Sequence, residues 1–212
     1  FSGLLLTGYA HMARHDQKAA QEVFEAARKI ALNEGLYYGV VESSFHLARL
    51  AHIRGALGRA VEICRTGKAD IAAVLDNPEQ ELPALGSLDI VLGCVLLEQN
   101  QLEEAKEYLH KGLNQMGGRM NPHHLMVAFI ALFRLYETLG DTHEAMKHLD
   151  RLEAIWPDLT FCTRGLRAEH SMRFFLDDPI ARAEAISWCE DFSSLVDHDK
   201  DTPGMGPFGA AD

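Results

Sequence analysis

Four alanines recur along this 212-residue chain at nearly equal steps, each in the same local setting. Ala20 lies in His15-Asp-Gln-Lys-Ala-Ala-Gln-Glu-Val-Phe24, Ala60 in Gly55-Ala-Leu-Gly-Arg-Ala-Val-Glu-Ile-Cys64, Ala105 in Asn100-Gln-Leu-Glu-Glu-Ala-Lys-Glu-Tyr-Leu109, and Ala145 in Gly140-Asp-Thr-His-Glu-Ala-Met-Lys-His-Leu149. The steps are 40, 45 and 40 residues. Each segment reads as a turn former or polar residue, four residues, alanine, three residues, then an apolar side chain or cysteine. Twelve residues before each alanine stand Gly8, Ala48, Gly93 and Phe133, three of them small. A small residue on each of two helices joined by a short turn lets the pair pack closely. A bulky side chain at Ala60 or Ala105 would overpack that contact by ~1–3 kcal/mol. The repeating unit is therefore helix A, short turn, helix B. Leu47, Leu50, Ala51 and Arg54 keep the helical i, i+3, i+4, i+7 spacing.

This cadence predicts helices near 2–14, 17–33, 36–54, 57–75, 82–99, 102–115, 122–139, 142–155, 161–176 and 180–195. A degraded fifth unit uses Asp177-Asp178-Pro179 as its turn, suits Pro179 to a first helical turn, and puts Ala183 in the alanine slot. The fold class expected is all-α: a right-handed superhelical array of about five antiparallel helix pairs. It forms one domain over 1–195, followed by an irregular connector over 196–212. Pairs of this kind cannot bury their apolar faces singly, so stacking builds the core.

The small-x-x-Tyr/Leu, Gly/Asn turn and Ala-x-x-x-Phe/Leu pattern resembles the tetratricopeptide repeat. The step near 40 exceeds that repeat's usual ~34, and only Pro157 sits where its closing proline falls. Longer units of this kind resemble the superhelical sensor region of MalT-like proteins, which are signal-transduction ATPases and often transcription regulators with a LuxR-type DNA-binding end. Leu97-Glu-Gln-Asn100-Gln-Leu-Glu-Glu-Ala105 and Leu139-Gly140-Asp-Thr-His-Glu-Ala145 carry that resemblance best, with Asp177-Asp-Pro179 and Ser187-Trp188-Cys189 resembling the family's late repeats. It implies a non-catalytic arm that binds a small effector or a protein partner. The alternative is a scaffold for protein or peptide interaction that senses nothing. In such arrays the A helices line a concave face. The register carried over from the family places Leu5, Tyr9 and Met12; Glu42, Phe45, Arg49 and His52; Ile90, Cys94 and Leu97; Ile130, Arg134 and Glu137; and Met172 and Phe175 there. Tyr9, Glu42, Phe45, Arg49, His52, Arg134 and Glu137 are the candidate ligand-binding residues. Arg49 and Arg134 could hold a carboxylate or phosphate by paired donors. Against that stands the plainer reading of Arg49–Glu42 and Arg134–Glu137 as surface pairs.

Other chemistry finds little support. Twenty basic against 31 acidic residues leave a net charge of −11 with no basic stripe, which argues against gripping a nucleic-acid backbone. No apolar run reaches the ~18 residues a membrane span needs. Phe1 stands where a whole chain has Met, and the expectation is a piece of a longer cytoplasmic protein. Cys64, Cys94, Cys162 and Cys189 form no C-x-x-C, which fits free thiols in a reducing compartment. Cys64 takes the slot of Phe24, Leu109 and Leu149 and reads as a small core hydrophobe. No G-x-S-x-G or H-E-x-x-H occurs, and Thr66-Gly67-Lys68-Ala69 lacks the upstream glycine and the hydroxyl of a P-loop. Gly204-Met-Gly206-Pro-Phe-Gly209 matches G-x-G-x-x-G without the strand and helix that a dinucleotide site requires. His11 and His15 share a helix face but have no third ligand, and His123-His124 beside Pro122 reads as a helix start. No catalytic residue, metal or cofactor is assigned, and self-association is left open.

Overall fold

A computed structural model describes residues 1–74, 82–117, 121–157, 160–174 and 178–200. All regular structure among them is helical: α1 Ser2–Ala13, α2 Gln17–Asn33, α3 Tyr37–Ile53, α4 Leu57–Val74, α5 Gly86–Glu98, α6 Leu102–Met116, α7 Pro122–Thr138, α8 Thr142–Ile155, α9 Thr160–Phe174 and α10 Pro179–Lys200, with a 3-10 turn at Pro83–Leu85. The repeat cadence predicts one domain over 1–195. The structure divides the chain into two compact units, Phe1–Leu139 and Gly140–Asp212.

The four repeat turns share one backbone device. His15, Gly55, Asn100 and Gly140 all adopt the left-handed conformation, with φ of 59°, 74°, 57° and 78°. A left-handed residue just past a helix lets the next amide reach back to the final turn. Accordingly Asp16 N–H donates to the His11 carbonyl at 2.9 Å, Ala56 to Ala51 at 2.9 Å and Gln101 to Leu96 at 2.9 Å. Glycine reaches this conformation without strain, whereas His15 and Asn100 reach it at a steric cost. The B helices then start on side-chain caps where the sequence supplies them. The Asp16 carboxylate accepts from Ala19 N–H and the Asp141 carboxylate from Glu144 N–H, each at 3.0 Å.

The alanine slots are closed: Ala20, Ala60, Ala105 and Ala145 are all 0% exposed, as are Phe24, Cys64, Leu109 and Leu149 four residues later. In the first unit the small residues of the A helices sit opposite them. A Cβ on Gly93 would come 2.6 Å from Leu109. The α5–α6 contact is closest at its other end, where a Cβ on Gly86 would lie 2.4 Å from the Gly112 carbonyl oxygen, so only glycine fits. The core of this unit runs along α3, where Val40, Val41, Phe45 and Ala48 pack with Cys64 and Ile71 of α4 and Leu88 and Val91 of α5. Asp89 of α5 is buried and ion-paired to Lys68 of α4, with Lys111 of α6 at 3.5 Å.

The last helix pair departs from the expected register. Ala183 is exposed, and Ala185 takes the buried place. Helix α10 opens with Pro179, the Asp178 carboxylate accepting from Ile180 N–H at 2.8 Å, and its buried alanine falls two residues after the expected slot. Here Trp188 closes over Gly165 of α9, where a Cβ would meet the indole at 2.8 Å. Helix α10 also continues to Lys200, past the boundary expected at 195. Asp177, Phe175 and the Gly204–Gly209 motif lie outside the described residues, as do the side chains of Cys162 and Met172.

Candidate binding groove and its closed end

The A helices α3, α5 and α7 of the first unit border a groove of about 270 Å³. Val91 and Cys94 of α5 and Ile130 and Ala131 of α7 form its apolar floor. Arg49 and His52 of α3 face it from one side, Arg134 of α7 from the other, and Glu98 lies on the rim. Two arginines against one glutamate make this a locally cationic patch on an acidic chain. No ion pair engages Arg134 among the described residues, and its side chain is exposed. Arg49 is half-buried; it donates to His123 Nε2 at 2.7 Å and lies over the Phe45 ring. Because arginine only donates, His123 accepts through Nε2 and carries its proton on Nδ1. Burial, and then the adjacent Arg49 charge, push the His123 pKa down to about 3. Burial likewise lowers His52. Burial pushes the Cys94 thiol up to about 12, so it is an apolar floor residue rather than a nucleophile.

Toward the start of α3 and α7 the groove gives way to a sealed polar cluster. Glu42 is 1% exposed, and its Oε1 accepts from the Tyr9 hydroxyl at 2.8 Å and from Asn121 Nδ2 at 2.8 Å. His46 Nε2, one turn along α3, lies 3.3 Å from the same oxygen. His124 Nε2 lies 3.3 Å from the other oxygen, Oε2. Asn121 is the N-cap of α7 and accepts from His123 N–H at 3.1 Å. The helix start expected at His123-His124 is thus also the contact with α3. The ring of His46 is stacked between Phe24 at 4.7 Å and His123 at 5.3 Å. Burial disfavours the Glu42 carboxylate, but His124, His46 and Tyr9 outweigh it and hold the carboxyl well below its usual range. Burial and the Glu42 charge raise the Tyr9 phenol.

The candidate residues therefore separate. Arg49, His52 and Arg134 line the groove, joined by Cys94, Leu97 and Ile130 of the same register. Tyr9, Glu42 and Phe45 belong to the closed end, with Glu42 and Phe45 buried. Glu137 is 8% exposed on α7 and does not line the groove. Leu5 and Met12 pack on the cluster of Phe24, Leu47 and Leu50. The surface pair expected between Arg49 and Glu42 is replaced by separate partners for each. His46, His124 and Asn121 fall outside the register. The i, i+4 spacing of Glu42 and His46 was the one local signal, whereas Asn121 reaches Glu42 from 79 positions away.

A larger depression of about 480 Å³ lies along α2 and α4, lined in part by Gln21, Arg28, Arg54, Arg59 and Glu62. Its three arginines are engaged: Arg59 pairs with Glu62 at 2.7 Å, Arg28 with Asp70, and Arg54 donates to Gln17 and Gln21. It is a solvated surface with few free donors.

The model of the MalT-like tetratricopeptide region matches residues 2–194. The chain belongs to this family. No curated protein matches the sequence. Among solved structures, two crystal structures of nearly identical TPR-like repeats from a Podosopora anserina protein named as a kinesin light chain are similar at 18% identity. Their TM-scores are 0.53 and 0.52, covering 95% and 96% of this chain and 96% and 97% of those. The likeness shows the fold, an all-α solenoid of tetratricopeptide type. A MalT-like repeat region of this kind is a binding scaffold, and no described helix is long and apolar enough to cross a membrane.

Proposed function

We propose that this chain is the non-catalytic sensor region of a MalT-like transcription regulator of the LuxR type, acting in the cytoplasm, and that the groove between α3, α5 and α7 binds its effector. The observation that carries this reading is an apolar floor flanked by Arg49 and Arg134. A small molecule with an apolar body and a carboxylate or phosphate fits that arrangement. The volume is near the lower edge of the ~300–1,000 Å³ usual for small-molecule sites. Binding would shift the regulator between states only by the ligand's differential affinity for them.

A thermal-shift screen of anionic metabolites should find compounds that raise the melting temperature. Calorimetry with the compound found should then show a loss of about ten-fold or more for Arg49→Ala and Arg134→Ala, since charge-assisted hydrogen bonds contribute about 1.5–3 kcal/mol. Unchanged affinity in both variants removes the arginines from the site. If no small molecule binds, and an acidic peptide does so with dependence on both arginines, the chain is an interaction scaffold without effector sensing.

A further inference from the structure

We propose that Glu42, His46 and His124 bind a divalent transition metal, zinc by the chemistry of the donors, and that the ion pins the start of α7 to α3. The site is separate from the groove ligand and does not depend on it. One ligand atom from each of the three residues comes together within 4.8 Å, and all three residues are buried. Tetrahedral zinc with bonds of ~2.0–2.1 Å holds neighbouring donors about 3.3 Å apart. Glu42 Oε2 and His124 Nε2 have that separation, and His46 Nε2 lies 3.3 Å from the other oxygen of the same carboxylate, Oε1.

Three observations go beyond spacing. Glu42 Oε2 and His124 Nε2 face each other, yet neither makes an aligned hydrogen bond. Buried polar atoms in this condition are costly unless something else satisfies them. No lysine or arginine pairs with Glu42 among the described residues, because Arg49 is directed to His123. A buried carboxylate needs a compensating charge; protonation of His46 or His124 would give one, and a divalent ion would supply it with both imidazoles neutral. Finally, the ligands are already oriented. Tyr9 and Asn121 fix the Glu42 carboxylate through Oε1, and the stack of Phe24 and His123 fixes the His46 ring. Such supporting contacts tune metal affinity. Two imidazoles and one carboxylate suit zinc, and three protein donors leave one coordination position open. His46 Nδ1 lacks an acceptor, so the site is missing one supporting contact and should bind less tightly than a four-ligand structural site. Tyr9 and Asn121 are half-buried, which leaves the donors one side chain below the surface.

The test uses the whole chain, stripped with a chelator and titrated with zinc and with cobalt(II) as a spectroscopic substitute. The expected result is one equivalent of tightly bound zinc, a higher melting temperature, and the intense visible bands of tetrahedral cobalt. His124→Gln should weaken zinc binding at least about ten-fold and abolish those bands. Tyr9→Phe keeps all three ligands and should weaken zinc by about ten-fold, which keeps the test decisive if His124→Gln fails to fold. A His11→Ala, His15→Ala double variant should bind as the parent does. The proposal is overturned if the stripped protein takes up no zinc, if cobalt shows only the pale octahedral spectrum, if Tyr9→Phe and every folded ligand variant bind as tightly as the parent, or if binding is lost in the His11/His15 variant.

Discussion

Helix α3 has two polar ends that differ in kind. Its first half places Glu42 and His46 in a sealed cluster, with both side chains about 1% exposed. Its last turns place Arg49 and His52 beside an open groove. Both ends belong to the same family-assigned inner face, so position in the repeat does not decide whether a polar residue is sealed or presented. What decides it is how closely the next A helices approach. At the first end, Asn121 and His124 of α7 reach Glu42 directly. At the other, Cys94 and Ile130 lie between the arginines and leave a gap.

If that contrast is right, substitutions at the two ends should separate stability from binding. Glu42→Ala should have the largest effect on stability, about 3 kcal/mol, because it strips Tyr9, Asn121 and His46 of a shared buried acceptor; urea unfolding would measure it, and a loss under about 1 kcal/mol would mean the cluster is solvated. Arg49→Ala should cost about 1 kcal/mol through its bond to His123, with its main effect on ligand affinity. A penalty as large as that of Glu42→Ala would place Arg49 in the core instead. His52→Ala should change stability by no more than about 0.5 kcal/mol.

The smallest effect is chemical. Exposed Cys189 should be alkylated in the native protein, and peptide mapping should find Cys94 and Cys64 protected. Burial raises both of those thiols to about 12. Rapid labelling of Cys94 would mean that the groove opens more widely than its floor indicates.

The alanine cadence read the first four pairs correctly because slot and turn lie within one hairpin, where each alanine is fully buried. It misplaced Ala183: the buried alanine of α10 is Ala185, and a change of two positions turns a helix face away from its partner. The family register found Arg49, His52 and Arg134 along the groove. It offered nothing on His46 or His124, whose roles come from packing between hairpins.

Residues close along the chain were enough to determine the helices and their turns. Hydrogen bonds within a helix join neighbours four apart, and the left-handed turns at Gly55, Asn100 and Gly140 are local choices of backbone. The partnership of Glu42 with Asn121 and His124 was decided only in three dimensions. It depends on the angles and separations at which α3, α5 and α7 pack. Those are set by the summed shapes of many side chains, and no short pattern encodes them.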